Sequence, residues 1–163
     1  SNFFVNMSLL LTEAGQYKCK TSSVLNKSAE YASKHMFDGT CNTCWNSDQG
    51  SPQYIFLDFL KPVILTNINI QFQGGFSCED GVISVGNEIK ALNEEIYEHI
   101  HPINVNEVQK FDVVRVDSSI INEENVNNVN NGYRYFKLIF PNSFDFYGRI
   151  TVYQFEVYGD YVE

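Results

Sequence analysis

The stretch QYIFLDFLKPVILTNINIQFQ, residues Gln53–Gln73, decides the fold of this chain. Its first part, Gln53–Phe59, is rich in the aromatic and β-branched residues that favour strands. In its second part, Val63–Gln73, apolar and polar side chains alternate, which predicts a strand with one buried face. The two faces are Ile68, Ile70 and Phe72 on one side and Asn67, Asn69 and Gln71 on the other. Pro62 lacks a backbone N–H and is predicted to break the stretch into two separate strands.

Three further segments are predicted as strands because they share this composition: Phe111–Val116, Tyr133–Phe140 and Ile150–Tyr158. Strict alternation in the last segment places two sets of side chains on opposite faces: Ile150, Val152, Gln154, Glu156 and Tyr158 against Thr151, Tyr153, Phe155 and Val157. Helix-forming residues stand together only over Ser28–Met36 and, more weakly, over Asn87–Tyr97. Many short strands with few helices predict an all-β sandwich or jelly roll with one or two short helices.

The size and charge of the chain narrow the expected partners. The 163 residues predict a single domain, 1–163, that can bury a core without covalent cross-links. The formal net charge of −9 opposes binding to a phosphate backbone, so nucleic acid is not an expected partner. No run of about 18 apolar residues occurs, so no membrane span is predicted. The Asn-rich segment Ser118–Gly132 is predicted to be a flexible insertion between two strands.

The four cysteines favour an intracellular protein. Only Cys41 and Cys44 form a C-x-x-C pair, and the other two are Cys19 and Cys78. A zinc site would need all four to converge, and a redox motif would need the pair to open a helix after a strand. Reduced thiols are the interpretation that the spacing favours, and they place the chain in the cytoplasm or nucleus.

The turn after the first helical segment carries oxygen atoms suited to a hard cation. Asp38 offers a carboxylate, Gly39 permits a tight reversal that exposes carbonyl oxygens, and Thr43 adds a hydroxyl. A calcium site would need a second carboxylate, for which Glu156 on the last predicted strand is the candidate. The alternative is an Asx-type turn, in which Asp38 accepts hydrogen bonds from nearby backbone N–H groups.

Four blocks of the sequence carry a family resemblance. They are HMFDGTCNTCW (35–45), WNSDQGSPQYIFLDF (45–59), IQFQGGF (70–76) and DFYGRITVYQFEVYG (145–159). Together they resemble the discoidin-like family, also called the coagulation factor V/VIII type C family, many of whose members are galactose-binding modules. The pattern D-G-x-x-x-T-x-W is moderately specific, whereas WNSDQG, FQGGF and DFYGR in combination are highly specific. These blocks look closest to a branch of small single-domain proteins described as orphan-nuclear-receptor-associated repressors.

The resemblance implies a fold and a cation site. The family fold is an eight-stranded jelly-roll β-sandwich, in agreement with the strand pattern. In calcium-containing relatives the cation sits where Asp38, Thr43 and Glu156 fall here, helped by carbonyl oxygens near Phe37 and Thr40. The resemblance also implies that WNSDQG, FQGGF and DFYGR are loops or strand ends of one sandwich.

If those three peptides converge, they form a recognition surface of aromatic rings, amides and one guanidinium: Trp45, Asn46, Asp48, Gln49, Gln73, Phe76, Phe146, Tyr147 and Arg149. Aromatic faces stack on sugar rings or side chains, and arginine binds a carboxylate through two parallel hydrogen bonds. Gly74 and Gly75 would let a ligand or another backbone come close. The alternative is structural: Trp45 seals the end of the sandwich. In that case Asp48 or Asp145 pairs internally with Arg149.

These observations favour a binding protein over an enzyme, because no catalytic constellation is visible in the sequence. The first hypothesis is a non-catalytic module that recognises an intracellular protein through loops at one end of the sandwich. A transcription-regulator-associated adaptor with a nuclear-receptor type of partner is what the resemblance implies. The alternative hypothesis is a calcium-dependent, lectin-like carbohydrate-binding module. A substrate-recruiting subunit of a larger assembly, as in ubiquitin-ligase relatives of this fold, is a further hypothesis.

Overall fold

The chain folds into one curled antiparallel sheet, seen in a computed structural model that describes residues 8–93, 97–113 and 132–162. The strands in those residues are β1 (Leu9–Leu10), β2 (Lys18–Thr21), β3 (Trp45–Asn46), β4 (Gln53–Phe72), β5 (Gly81–Gly86), β6 (Glu98–Ile100), β7 (Val108–Asp112), β8 (Tyr133–Phe140) and β9 (Thr151–Tyr161). The main path has the order β1-β9-β4-β8-β5-β6. In addition, β2 and β7 pair with β4, and β3 pairs with β9. This architecture confirms the predicted all-β sandwich of the jelly-roll type.

Strand β4 joins the two layers of the sandwich. Its first half pairs with β2 and β8, and its second half pairs with β7 and β9. The prediction that Pro62 would end a strand is wrong, because Gln53–Phe72 runs through it as one strand. The missing N–H falls in an irregular step, where the register with β8 shifts between Asp58 and Val63. Leu60 adopts a φ of 68° there, and its N–H donates to the Asp58 carboxylate over 2.8 Å.

A one-residue bulge in β9 overturns the strict alternation predicted for that strand. Consecutive positions 71 and 72 of β4 pair with Gln154 and Val152, so Tyr153 is the extra residue. Val152 is therefore buried on the same side as Phe155 and Val157, and not on the side of Gln154. The bulge also sets which polar side chains of β9 reach the neighbouring loop.

The helical segments are short 3₁₀ turns. Within the described residues they are Leu25–Lys27, Ala29–Tyr31, Ser33–Phe37 and Ile89–Asn93. The predicted helix over Ser28–Met36 is interrupted at Ala32, whose backbone is extended at φ −67° and ψ 157°. The third turn places Met36 in the core, and the chain then enters the loop that begins at Asp38.

The core is rich in aromatic side chains. Its largest fully buried side chains are Trp45, Phe59, Phe72, Phe136, Phe140 and Phe155. Phe140 lies at the centre of one end, with ring centroids 5.8 Å from Phe72 and 6.4 Å from Trp45. The tilted and edge-on ring geometries are those that aromatic pairs prefer, so this end of the core is closely packed.

Alkaline pH is expected to destabilise the fold through its buried thiols. Burial raises the pKa of Cys78 from its ordinary value of 9.0 to about 12, with a smaller contribution from Asp80. Burial likewise raises the pKa of Cys19 to about 12. The unfolded chain loses these protons near pH 9, so the stability is complete below that pH and falls as the pH rises toward 12. We expect a loss of about 1 kcal/mol per pH unit for each thiol.

Urea denaturation at about pH 8 and about pH 10.5 measures this loss. Cys78→Ala serves as the control, because removing one titrating thiol should make the stability less dependent on pH. A free energy of unfolding with the same pH dependence in both proteins would contradict the assignment to Cys78.

Three predictions fall outside the described residues in whole or in part, and one of them is the weak helical segment Asn87–Tyr97, of which residues 94–96 are not described. The Asn-rich segment Ser118–Gly132 lies outside them except for Gly132, so its flexibility stays a prediction. The strand predicted over Phe111–Val116 is described only to residue 113, where the chain leaves β7 at Asp112. In the described parts of the chain, no helix has the length and apolar character needed to cross a bilayer.

Candidate functional site

The three peptides singled out in the sequence meet at one end of the sandwich. Ser47 of the WNSDQG peptide and Ile150 exchange hydrogen bonds: the Ser47 N–H donates to the Ile150 carbonyl, and the Ile150 N–H donates to Ser47 Oγ, both over 2.8 Å. The Gly50 N–H donates to the Tyr147 carbonyl over 2.8 Å. The Thr151 N–H donates to the Phe76 carbonyl over 3.1 Å. The predicted convergence of these peptides is therefore a feature of the structure.

An exposed aromatic surface stands at this end. We call it the aromatic rim and define it by five residues: Phe76, Phe144, Phe146, Tyr147 and Arg149. Phe146 is 93% exposed, Tyr147 is 55% exposed and Phe144 is 47% exposed. The Phe146 and Tyr147 rings meet edge to face with centroids 5.3 Å apart. Exposed rings of this size, grouped on one loop, offer more apolar area than a lone surface residue would.

Arg149 is held in place by an internal carboxylate. Its Nε donates to Asp145 Oδ2 over 2.9 Å and its Nη2 donates to Asp145 Oδ1 over 3.2 Å. This hydrogen bonding from Arg149 lowers the pKa of Asp145. The guanidinium lies 5.3 Å from the centre of the Phe76 ring and 5.6 Å from that of Tyr147. The internal pair was one of the alternatives in the sequence, and it fixes the guanidinium between two aromatic rings.

Trp45 does not belong to the exposed surface, contrary to its assignment as a ligand-binding residue. Its side chain is fully buried, and its indole N–H donates to the Ser23 carbonyl over 2.8 Å. Strand β3 pairs Trp45 with Val152 of β9, which is also buried. The structural alternative describes this residue: Trp45 closes the end of the core beneath the rim.

The other predicted polar residues lie around the rim. Gln49 is exposed, whereas Asn46, Asp48 and Gln73 are half-buried. The Gln73 backbone is engaged, since its N–H donates to the Thr151 carbonyl over 3.0 Å. Of these four side chains, Gln49 is therefore the most accessible to a ligand.

Gly74 and Gly75 are approached by the chain's own loop. The Gly75 N–H donates to Asn104 Oδ1 over 2.8 Å, and the Gly74 N–H donates to Asn106 Oδ1. A Cβ on Gly74 would lie 3.3 Å from that Asn106 oxygen. The close approach predicted at these glycines is therefore made by Asn104 and Asn106 of the same chain. The two glycine N–H groups already have acceptors and do not need a ligand.

Gln53 is a supporting residue that sequence reasoning missed. It is 4% exposed, and its amide nitrogen donates to the carbonyls of Asp48 (3.1 Å) and Gly50 (2.8 Å). Its amide oxygen accepts from Ser23 Oγ over 2.8 Å. The signal was present in the sequence: Gln53 has the same strand phase as the buried Ile55. A buried amide of this kind fixes the WNSDQG loop on the sandwich.

Replacing Gly148 with alanine is expected to destabilise the protein by about 2 kcal/mol, because the residue combines a positive φ with a close backbone contact. Its φ is 84°, and a Cβ would lie 2.7 Å from the Gly50 carbonyl oxygen. Gly15→Ala is a matched control, since Gly15 has a φ of 83° but nothing within 4 Å of its Cβ position. Urea denaturation should show the larger loss for Gly148→Ala. Equal losses of stability in the two variants would mean that the close contact between Gly148 and Gly50 does not contribute to the cost.

The predicted cation loop has a different partner from the one expected. Asp38 Oδ1 accepts from the Thr40 N–H over 3.1 Å, and Asp38 Oδ2 accepts from the Thr43 hydroxyl, which is the Asx-type turn. The Asp38 pKa is lowered: burial works to raise it, but these hydrogen bonds and one from Gln154 outweigh burial. From β9, the Gln154 side chain reaches the loop, where its Nε2 donates to Asp38 Oδ1 and to the Thr40 carbonyl.

The Glu156 carboxylate instead accepts from the Tyr158 hydroxyl over 3.0 Å. Carbonyl oxygens near Phe37 and Thr40 are the other predicted ligands; the Phe37 ring packs against Tyr17 with centroids 4.8 Å apart, and the Thr40 carbonyl accepts from Gln154. Across residues 8–93, 97–113 and 132–162, no group of three or more His, Cys, Asp or Glu side chains is arranged to hold a metal ion. The calcium site with Glu156 as its second carboxylate stays a prediction.

Solved structures with a similar fold include a chitobiase domain, carbohydrate-binding modules and a fucolectin. The C-terminal domain of a chitobiase from Bacteroides fragilis has a TM-score of 0.69 at 16% identity, covering 96% of this chain and 100% of that one. The family 32 carbohydrate-binding module of C. perfringens NanJ, solved with galactose, has a TM-score of 0.65 at 14% identity, covering 93% and 99%. At these identities the likeness shows the galactose-binding-like fold alone.

Closer relatives are found by sequence, although no protein-family model matches the chain. The chain is 36% identical over 145 residues to the nuclear receptor 2C2-associated protein of Xenopus laevis, covering 86% of this chain and 91% of the relative. It is 31% identical over 144 residues to the Homo sapiens protein of the same name, covering 88% and 91%. The chain therefore belongs to the family of nuclear receptor 2C2-associated proteins, and its fold is the discoidin-like one that the four sequence blocks indicated.

Proposed function

We propose that this chain is a non-catalytic binding module that recognises an intracellular protein through the aromatic rim. The relatives are named for association with nuclear receptor 2C2, a transcription regulator, and a nuclear receptor is the type of partner that we propose for this chain. The observation that carries the proposal is the grouping of Phe144, Phe146 and Tyr147, all exposed, beside Arg149.

The rim has the composition of a protein-binding surface. Aromatic residues and arginine are the side chains that most often dominate binding energy at protein interfaces. The loop that bears them is braced, because Ser143 Oγ donates to the Arg149 carbonyl over 2.6 Å and accepts from the Asp145 N–H over 2.9 Å. A braced loop loses little conformational freedom on binding, so its exposed rings contribute more of their contact energy to affinity.

Arg149 supplies orientation to such a contact. A guanidinium has five N–H donors, and the Asp145 carboxylate takes two of them in a parallel pair. The rings of Phe76 and Tyr147 lie 5.3 and 5.6 Å from the guanidinium carbon, within the range of cation–π attraction, which helps to hold the guanidinium in place. We infer that the partner presents an apolar side chain to Phe146 and a hydrogen-bond acceptor to Arg149.

The test is direct binding of the purified chain to purified nuclear receptor 2C2 by calorimetry, with rim variants compared with wild type. Phe146→Ala and Arg149→Ala should each weaken binding by about tenfold or more, because each removes a rim contact. Ile89→Ala is the matched control, since Ile89 is a 59% exposed hydrophobic residue that lies beyond β5, outside the rim. Thermal melts of all variants must match wild type for the comparison to count.

The proposal fails if the rim variants bind as tightly as wild type, or if the Ile89 variant loses affinity to the same degree. If the wild-type chain does not bind the receptor at all, a nuclear receptor is not its partner. Capture of a different protein that depends on Phe146 and Arg149 would keep the binding module with another partner.

Glycan binding is the second candidate, and one observation favours it. Tyr147 and Phe146 present exposed rings next to a guanidinium, and aromatic faces of this kind stack on sugar rings. A glycan array probed with and without about 1 mM calcium decides between the candidates. A blank array supports the protein-binding module, whereas a galactose-type signal that disappears in Arg149→Ala supports the lectin-like one.

A further inference from the structure

The loop Asp38–Thr43, which we call the Asp38 loop, gathers oxygen atoms as a cation site does. The Asp38 carboxylate, the Thr40 carbonyl and the Thr43 hydroxyl all turn toward β9 or toward one another. The loop is exposed at Asp38, yet it packs close to the core, because the preceding turn buries Met36. Oxygen atoms that converge in this way must be satisfied either by a cation or by hydrogen-bond donors.

The group that fills this role is the side-chain amide of Gln154. Its Nε2 donates to Asp38 Oδ1 over 3.4 Å and also to the Thr40 carbonyl in a closer contact. Both neighbours are oxygens that only accept hydrogen bonds, so the NH₂ end of the amide is the end that fits between them. An amide nitrogen with two N–H groups satisfies two acceptors at once, and it does so without carrying a full charge.

The charge of the site also disfavours calcium. Asp38 supplies one carboxylate, and Gln154 stands where a second ligand from β9 would be needed. Calcium affinity depends on the number of charged ligands, so a loop with a single carboxylate and neutral oxygens binds the ion weakly. The other carboxylate on this part of β9, that of Glu156, accepts a hydrogen bond from Tyr158.

We propose that the Gln154 amide takes the place of a cation in the Asp38 loop, so that this protein keeps its fold without calcium. The Gln154 amide acts through direct hydrogen bonds from β9 to the loop, at the residue that follows the bulge at Tyr153. One substitution, Gln154→Glu, would restore the second carboxylate and convert the loop into a calcium site.

The first test uses the wild-type chain. Thermal melting in about 5 mM calcium chloride and in EGTA should give midpoints within about 1 °C of each other, because a ligand stabilises only a protein that binds it. Calorimetric titration with calcium chloride should show no saturable heat. A calcium-dependent rise of the wild-type midpoint that is lost in Asp38→Asn would overturn the proposal.

The second test uses Gln154→Glu. In EGTA this variant should melt below wild type, since two carboxylates then face each other across the loop. In about 5 mM calcium chloride its midpoint should rise by about 5 °C, and titration should show one binding site. Adding Asp38→Asn to this variant should abolish the response.

Glu156→Gln is the matched control, because it changes a carboxylate on the same strand whose hydrogen bond comes from Tyr158. We expect Gln154→Glu, Glu156→Gln to keep the calcium response in full. A calcium response of Gln154→Glu that depends on Glu156, or no response in a folded Gln154→Glu variant, would show that Gln154 does not occupy the cation position. If the variant fails to fold in either solution, the wild-type titration still decides the matter.

Discussion

Trp45→Ala is expected to destabilise the protein by about 4 kcal/mol, a cost typical of removing a large buried aromatic residue. The Trp45 side chain is fully buried, and its ring lies 6.4 Å from that of Phe140. The substitution leaves a cavity at the end of the core and also strands the Ser23 carbonyl, which accepts the indole N–H over 2.8 Å. The peptides that carry the rim rest on this end of the core, so their positions depend on Trp45.

Urea denaturation followed by far-UV circular dichroism measures this change, because Trp45 is the single tryptophan and its removal abolishes that fluorescence signal. Trp45→Phe should lose about half as much, since it keeps an aromatic ring and loses the hydrogen bond. Phe146→Ala should change stability by less than about 0.5 kcal/mol, as expected for a side chain that is 93% exposed. A Trp45→Ala variant as stable as Phe146→Ala would contradict the burial of Trp45.

The strand pattern identified most of the sandwich because hydrophobic alternation follows directly from which face is buried. The strand predicted over Tyr133–Phe140 is β8 without any change of bounds, and Phe136, Leu138 and Phe140 face the core. What alternation does not report is a bulge, because one extra residue shifts every later side chain relative to its predicted face. That is why Val152 was assigned to the wrong face.

The same limit applies to the side chain of β9 that reaches the Asp38 loop. Glu156 and Gln154 lie on one face of β9, and a carboxylate is the more obvious calcium ligand, so the sequence favoured Glu156. The partner of the Asp38 loop is decided by how far along β9 the loop docks, which depends on tertiary packing. The register places Gln154 there, and the chemistry of the loop changes from ionic to hydrogen-bonded.

The rim was anticipated in part. Phe146, Tyr147 and Arg149 follow from the DFYGR block, and the structure places Arg149 near the rings of both Phe76 and Tyr147. Phe144 was missed, although it stands two residues before Phe146 in the same loop. Trp45 was misread because its sequence neighbours are polar, whereas its neighbours in space come from other strands. Local composition describes the chain beside a residue, and burial depends on the chain that packs across from it.

Gly159→Ala is expected to destabilise the fold by about 3 kcal/mol, because no space exists for even one methyl group between β9 and β4. Gly159 pairs with Leu65, next to an irregular step in the register, and a Cβ there would lie 2.1 Å from the Ile64 carbonyl oxygen. The same Cβ would lie 3.0 Å from a methyl group of Leu11. Since Ile64 contributes backbone and not a flexible side chain, the strands themselves would have to separate.

Gly86→Ala is the control that isolates this effect, because Gly86 also lies in a strand but its Cβ would meet Leu92 at an ordinary 3.6 Å. That substitution should change stability by about 0.5 kcal/mol or less. Both variants can be measured by urea denaturation, and hydrogen exchange of the β4 amides near Ile64 should increase only in Gly159→Ala. Equal stability of the two variants would mean that the backbones of β4 and β9 leave room for a methyl group at Gly159. The pairing of β9 with the second half of β4 would then be looser around Gly159 than elsewhere along the two strands.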